Sequence, residues 1–417
     1  MSVKSRKDSK GRVLRKGESF QKSKGIYIYS FTDPFGKRKY IYSKDLTALR
    51  EKEENLKRDQ LDGLDIYIMK KATLNYCFER YMFSKVELRE TTRYNYLYTY
   101  NTYVKDKIGN KLIADFKYSD ILFFYIYLVE KQGLSISTVE SVHTVLRPTF
   151  NLALRDDIIR RNPTEGAMAD LKRKLRSSVG KRHALTIEQE RAFICYFDDK
   201  PDLIHWRNLF MFLLGTGCRI GEAVGIRWDD VDLKNRVVHI NHSVSYYPRE
   251  QNSYKCDYEV SKPKTGAGVR DIPMFQSVYN ALMSEREVQR KTGIYCTAEI
   301  DGMNNFIFYN RYGSIHNPAG VNRAIKRYSS DYNMAEAINA KKQKRDAVIL
   351  PNFSCHVLRH TFCTRLCETE TNLKYIQEIM GHTDIKTTLD IYAEIQEHKK
   401  REITKKIEGG SSIIFQG

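Results

Sequence analysis

The sequence predicts a multidomain chain, mainly α with small β-sheets. Length is the first reason: 417 residues correspond to roughly two to three domains. Composition is the second: 41% of the residues are hydrophobic, enough for real cores. Periodicity is the third. Strand-like alternation is confined to short stretches near residues 25–43 and 236–274, and helical spacing dominates elsewhere. Four segments follow: a β-sheet-plus-helix module over residues 1–65, a helical bundle over 66–165, a basic linker over 166–185, and a mixed α+β unit with a C-terminal tail over 186–410.

The first 24 residues are basic, polar and expected to be flexible, although a short strand fits near Glu18–Gln21. GIYIYSFT (25–32), a DPFGK turn and RKYIYS (38–43) read as a hairpin. Alternation puts Tyr27, Tyr29 and Phe31 on one face and Ile26 and Ile28 on the other. Residues 44–61 read as a charged amphipathic helix whose apolar side is Leu46, Leu49, Leu56 and Leu61. A small sheet edged with Lys and Arg fits a DNA major groove. Its candidate contacts are Tyr27, Tyr29, Lys37, Arg38 and Lys39.

DGLDIY (62–67) reads as a linker, and residues 71–160 read as helices. Breaks fall at Gly109 and Gly133, with helix starts near Ser119 and Ser135 or Ser137. Candidate DNA contacts here are Arg89, Arg93 and Lys105. The following stretch, RRNPTEGAMADLKRKLRSSVGKRHAL, carries Pro163, two glycines and many cations including Arg182. It reads as a linker between lobes that clamp a duplex. Beyond it come helices at 186–198 and 202–214, a strand meander at 236–274 containing an inserted hairpin at 246–259, and then helices. The closing GGSSIIFQG is expected to be unstructured.

Charge narrows the function. The net charge is +19, which favours polyanionic partners, nucleic acid above all. Residues 1–60 hold 17 Lys and Arg against 8 Asp and Glu, an excess of +9 in the first seventh of the chain. With no apolar run of about 18 residues and no apolar opening segment, a membrane span is not expected and the cytoplasm is. The eight cysteines are scattered without a CxxC pair, which suits structural thiols in a reducing compartment rather than a zinc site. A P-loop and a metal-nuclease carboxylate cluster are both missing from the sequence, so neither metal nor cofactor is expected.

The chemistry concentrates in CHVLRHTFCTRLCETETNLKYIQEIMGHTDIKTTLDIYA (355–393). His356 and Arg359 stand three residues apart, His382 follows a glycine, and Tyr392 follows a Thr-rich helical stretch. Two imidazoles, a guanidinium and a phenol suffice to attack a phosphodiester without a metal. Upstream, GTGCRIGEAVGIRWDDVDL (215–233) offers Arg219 at a helix start, with Glu222 three residues on to fix its plane. Arginine grips two phosphate oxygens at once. VSKPKTGAGVRDIPM (260–274) reads as a hairpin whose tip carries Lys262 and Lys264, either of which could protonate a leaving alkoxide.

Arg219, a loop lysine, His356-x-x-Arg359, Gly381-His382 and Tyr392, in that order, resemble the signature of the tyrosine recombinase (phage integrase) family. The phrases LRHTF and MGHTDIKTTLDIYA match that family's blocks closely, and the likeness covers about residues 180–400. The layout is most similar to the three-domain integrases of conjugative transposons. The resemblance implies an arm-type DNA-binding domain, a helical core-binding domain and a mixed α+β tyrosine-recombinase catalytic domain. It implies a site-specific DNA recombinase that works through a 3′-phosphotyrosine and a Holliday junction, integrating and excising a mobile element. Tyr392 would be the nucleophile, while Arg219 and Arg359 would hold the non-bridging oxygens. His356 would assist proton transfer or position the phosphate, and His382 would support nucleophile and phosphate. Lys264, which precedes Thr-Gly as in the family, would be the general acid, and Glu222 would support Arg219. Implied partners are double-stranded DNA at core and arm sites, three further copies in a homotetramer, and an excisionase or other accessory DNA-bending protein. The implied location is the bacterial cytoplasm, at the nucleoid. A type IB topoisomerase-like relaxing enzyme shares the chemistry, and a catalytically silent DNA-binding regulator shares the scaffold. The three-domain layout weighs against the first and the intact set of site residues against the second.

Overall fold

The computed structural model describes residues 6–32, 38–61, 72–175, 183–248, 255–263 and 266–395. The chain divides into two compact units, residues 1–178 and 179–417, and the first contains two hydrophobic cores. Among the described residues no helix is long and apolar enough to cross a membrane.

The smaller core belongs to an antiparallel sheet of β1 (Glu18–Gln21), β2 (Ile26–Thr32) and β3 (Arg38–Ser43), in the order β1-β2-β3. Helix α1 (Leu46–Leu61) lays Leu46, Leu49 and Leu56 on one sheet face. That face is the one bearing Tyr27 and Tyr29, which are only 4% and 9% exposed. The expectation that these two tyrosines contact DNA is therefore corrected: they are core. A leucine stripe needs the face with the larger apolar area, and the aromatic rings supply it. The Tyr27 hydroxyl is also used internally, donating to Asp8 Oδ2 at 2.9 Å and accepting from Arg12 Nη2 at 2.7 Å. The open face carries Tyr40 and Tyr42 instead, paired with Ser30 and Ile28 and about half exposed, with Arg38 beside them. Lys39 is half-buried on the helix side, and Lys37 lies outside the described residues.

The second core is helical: α2 (Leu74–Ser84), α3 (Glu90–Tyr103), α4 (Tyr118–Glu130), α5 (Ile136–Arg155) and α6 (Ala167–Lys174). Thr73 caps α2 and Ser135 caps α5, each accepting from a backbone N–H three residues on. Helix α6 falls in the stretch expected to be linker. Its Ala167, Met168 and Leu171 are buried in the bundle core, so the bundle extends to about residue 175. The run LKRKLR conceals this, because its cations share a short helix with three apolar contacts. Residues 176–182, including Arg182, lie outside the described residues.

The second unit begins with α7 (Ile187–Cys195), closed by a Thr186–Gln189 capping box, followed by α8 (Ile204–Thr216) and α9 (Ile220–Gly225). Strands β4 (Val231–Asp232), β5 (Val237–Ile240) and β8 (Arg270–Pro273) form one antiparallel sheet. Strands β6 (Ser243–Pro248) and β7 (Cys256–Ser261) form a separate hairpin, the arms of the predicted 246–259 insertion, of which 249–254 lie outside the described residues. The predicted 260–274 hairpin is not one: β7 pairs with β6 and β8 pairs with β5. The lysine-bearing loop is thus a crossover between two sheets, folded so closely that a Cβ on Gly268 would stand 2.4 Å from Pro263 Cβ. Helices α10 (Gln276–Thr292), α11 (Pro318–Gln343), α12 (Cys355–Thr369), α13 (Leu373–Met380) and α14 (385–395) complete the unit.

A polar chain pins α8 to α10 and to the segment before α11. His205 Nδ1 meets the fully buried Glu285 carboxylate at 2.6 Å, and His205 Nε2 meets His316 Nε2 at 2.7 Å. Burial, then the neighbouring His205, pulls the His316 imidazole down to about 3. An unfolded histidine takes up its proton near pH ~6.5, but the folded one stays neutral far below that. The stabilisation is therefore present above pH ~6.5 and lost progressively as the pH falls towards 3. Urea midpoints should drop across this window, and His316→Gln should show a shallower acid slope. Superimposable slopes would rule the account out.

Candidate active site

Helix α8 ends in a left-handed Gly217, with φ of 62°, and the chain turns at once into α9 with Arg219 as its first cap. Glu222 reaches back to the Arg219 backbone N–H at 2.9 Å and receives Arg219 Nη1 at 2.9 Å. On α12, His356 and Arg359 are three residues apart and share a helical face. Arg359 is 4% exposed and donates through Nη1 to the Gly217 carbonyl at 2.6 Å, and through Nη2 to the Met380 carbonyl. Arg219 Nη2 donates to the next carbonyl, Gly381, at 3.0 Å. The one before, Ile379, receives Arg270 Nε at 2.7 Å. Three successive carbonyls at the end of α13 are thus each held by a different arginine.

These contacts gather Arg219, His356, Arg359 and His382 around one cleft of about 510 Å³, whose lining also includes His360, Asp384 and Ile391. Arg219 is the accessible guanidinium, its side chain 46% exposed, while Arg359 stands buried behind. Burial, then repulsion from Arg219 and Arg270, lowers Arg359 to about 10. Burial and the same arginines lower His382 to about 4, so its ring is neutral at physiological pH. Its Nδ1 faces the Thr388 hydroxyl of α14 at 3.0 Å, which fixes the ring. For Glu222, burial opposes ionisation, but Arg270 and Arg219 outweigh it and hold the carboxyl below its ordinary value.

The structure brings together five predicted residues: Arg219, Glu222, His356, Arg359 and His382. Lys264 lies outside the described residues, and Lys262 is exposed on the crossover loop away from the cleft lining. Tyr392 is half-buried on α14, packed against the core next to the cleft residue Ile391. Ile395, on the same helix, is buried in its own unit's core at 8% exposure. In the bundle Arg89 and Lys105 are exposed, whereas Arg93 is half-buried and donates to the Lys85 carbonyl at 2.8 Å. Sequence reasoning missed Arg270 and Thr388. The signal for Arg270 was present: it alternates with the core residue Ile272 in β8, so it points inward.

A cleft walled by guanidinia and imidazoles, with a phenol on its border helix, is the ground plan of a DNA breaking-and-rejoining enzyme. The comparisons with known proteins take this further. The chain belongs to the phage integrase family, whose profile matches residues 183–399, and it is a tyrosine-type site-specific recombinase. A second profile, the DNA binding domain of Tn916 integrase, matches residues 1–60. The transposase from transposon Tn1545 of Streptococcus agalactiae is 32% identical over 407 residues, covering 93% of each chain. The Tn1549 transposon integrase, solved in complex with a circular intermediate DNA, is 26% identical with a TM-score of 0.66, covering 79% of this chain and 99% of that one. A lambda integrase tetramer bound to a Holliday junction shares the fold at a TM-score of 0.52 and 16% identity, covering 89% of this chain and 97% of that one.

Gly381 offers a direct check of the turn. Its φ is +61°, and a Cβ would stand 2.9 Å from the Ala267 carbonyl oxygen and 3.1 Å from Arg270 Cδ. Gly381→Ala should cost about 1–2 kcal/mol from the left-handed backbone alone. It should lower both the melting temperature and the rate of DNA cleavage. An unchanged melting temperature would contradict the described turn.

Proposed function

We propose that the protein integrates and excises a mobile DNA element by strand cleavage at Tyr392. The Tyr392 oxygen attacks the scissile phosphorus as its proton passes to His356, the P–O5′ bond breaks, and a 3′-phosphotyrosine forms. The departing O5′ takes a proton from Lys264, and the 5′-hydroxyl of the partner strand later reverses the step, releasing the phenol. The bond energy stays in the phosphodiester link throughout. Arg219 and Arg359 offset the charge that accumulates on the non-bridging oxygens. His356 assists proton transfer, while neutral His382 supports the phosphate and the phenol. The observation that carries this reading is the single cleft shared by Arg219, His356, Arg359 and His382 next to the helix of Tyr392.

In this reading four protomers act on two duplexes and exchange strands through a Holliday junction. The helical bundle and the catalytic unit grip the core site, with Arg89 and Lys105 on backbone phosphates. The N-terminal sheet reads separate arm sites with its open face of Arg38, Tyr40 and Tyr42, and an excisionase or other DNA-bending partner biases direction. The work takes place in the cytoplasm, at the nucleoid.

Incubation with a nicked suicide DNA, without Mg²⁺, should trap a covalent adduct. Tyr392→Phe should bind DNA normally and trap none; an adduct that persists in this variant would refute the nucleophile. For arm binding, Arg38→Ala should reduce the salt slope by about one unit, while Tyr27→Phe should leave it unchanged. Equal effects of the two substitutions would contradict the assigned face.

A further inference from the structure

Arg270, the first residue of β8, is not among the residues that line the catalytic cleft, yet its guanidinium bonds two backbone carbonyls and the Glu222 carboxylate behind it. Its side chain is 4% exposed. Nε donates to the Ile379 carbonyl at 2.7 Å, Nη1 to the Gly268 carbonyl at 3.2 Å, and Nη2 to Glu222 Oε2 at 2.8 Å. Glu222 Oε2 also receives the Arg219 backbone N–H, and Oε1 receives Arg219 Nη1, each at 2.9 Å. The carboxylate plane is therefore set from behind by Arg270 and in turn sets the accessible Arg219. The turn at 379–381 is braced the same way, with Arg270 on its first carbonyl and Arg219 on its last.

A buried guanidinium is expensive to desolvate. Charge balance alone does not require it, because Glu222 already has Arg219 as a partner. What Arg270 adds is geometry, since a planar fork sets three acceptors in fixed directions, whereas an ammonium is a compact charge whose three donors rotate.

We propose that Arg270 is a positioning residue for strand cleavage. It holds the Glu222 carboxylate and the 379–381 turn so that Arg219 and His382 meet the scissile phosphate already aligned. This rests on the recombinase reading above. Arg270 itself touches neither DNA nor the reacting atoms.

The test uses the full chain, Arg270→Lys and Arg270→Met, on nicked suicide DNA under single-turnover conditions, with DNA affinity measured separately. Arg270→Lys keeps a positive charge beside Glu222, so it should fold and bind DNA within about twofold of wild type, yet form the adduct about 10- to 100-fold more slowly, the cost of a small misalignment. Arg270→Met should be at least as slow, and if it does not fold, Arg270→Lys alone decides. The discriminating substrate carries a neutral methylphosphonate at the scissile position. With one non-bridging charge removed, the reaction leans less on Arg219, so the deficit should shrink by about tenfold or more. Wild-type cleavage by Arg270→Lys would overturn the proposal, and so would a deficit equal on both substrates, the mark of a purely structural role. A deficit abolished by sulfur at the 5′-bridging position would also overturn it, assigning Arg270 to the leaving-group loop through Gly268. A wild-type protein that forms no adduct on the phosphate substrate would instead refute the recombinase reading itself.

Discussion

The last turn of α13 organises the catalytic unit. A helix leaves its final carbonyls without intrahelical partners and gathers partial negative charge there. In this protein three of those carbonyls, at Ile379, Met380 and Gly381, are each met by a guanidinium from a different element: Arg270 from β8, Arg359 from α12 and Arg219 from the start of α9. Segments far apart in sequence are thereby drawn to one short turn, and the turn delivers His382. Without those carbonyls, the Glu222 carboxylate alone would offset three like charges held so close. Glu222 is the only carboxylate bonded to any of the three among the described contacts, and it serves two of them.

The arrangement leaves the cleft electrostatically unfinished. Three cations share one buried anion, and Arg359 falls to about 10, through burial first and then through repulsion from Arg219 and Arg270. His382 loses proton affinity in the same way, to burial first and then to the arginines. Under the proposed function, a phosphodiester entering the cleft would supply the missing negative charge, and a five-coordinate phosphorane would supply more. The field is in place before the substrate arrives, so little reorganisation is needed as charge develops. A neutral His382 also fits this economy: a third full positive charge at the cleft wall would add repulsion where a hydrogen-bonding group is enough.

How much of this could be read from the sequence depends on whether a residue's partner is local. Arg219 and Glu222 sit three apart on one helix, as do His356 and Arg359, so spacing paired them and the family resemblance supplied their roles. Strand positions in the N-terminal module were legible, but which face the helix would cover was not. Alternation gives two faces without saying which is inside, and Tyr27 and Tyr29 were placed on the wrong one. Helix α6 hid behind its cations. The crossover between β7 and β8 reads as a hairpin because a lysine-bearing loop between two strands is the same string in either topology. The strand register of Arg270 with Ile272 points it inward, but its role is not legible, because all its partners except Gly268 lie at distant sequence positions.

This division carries a consequence for how such a chain can diversify. The chemistry depends on a closed set of contacts in which each arginine is bound to backbone carbonyls, and carbonyls do not change with side-chain identity. Substitution around the turn is therefore tolerated only where it preserves the path of the backbone, and Gly381, against Ala267 and Arg270, leaves no room even for a methyl group. The sheet of the N-terminal module is under no such constraint on its open face. Tyr40 and Tyr42 project from a surface whose stability comes from the opposite side, where Tyr27, Tyr29 and the α1 leucines pack. Residues on that open face can change without disturbing the fold. Under the proposed function, target choice can thus drift in one part of the chain while the reaction stays fixed in another, because the two rest on physically separate cores.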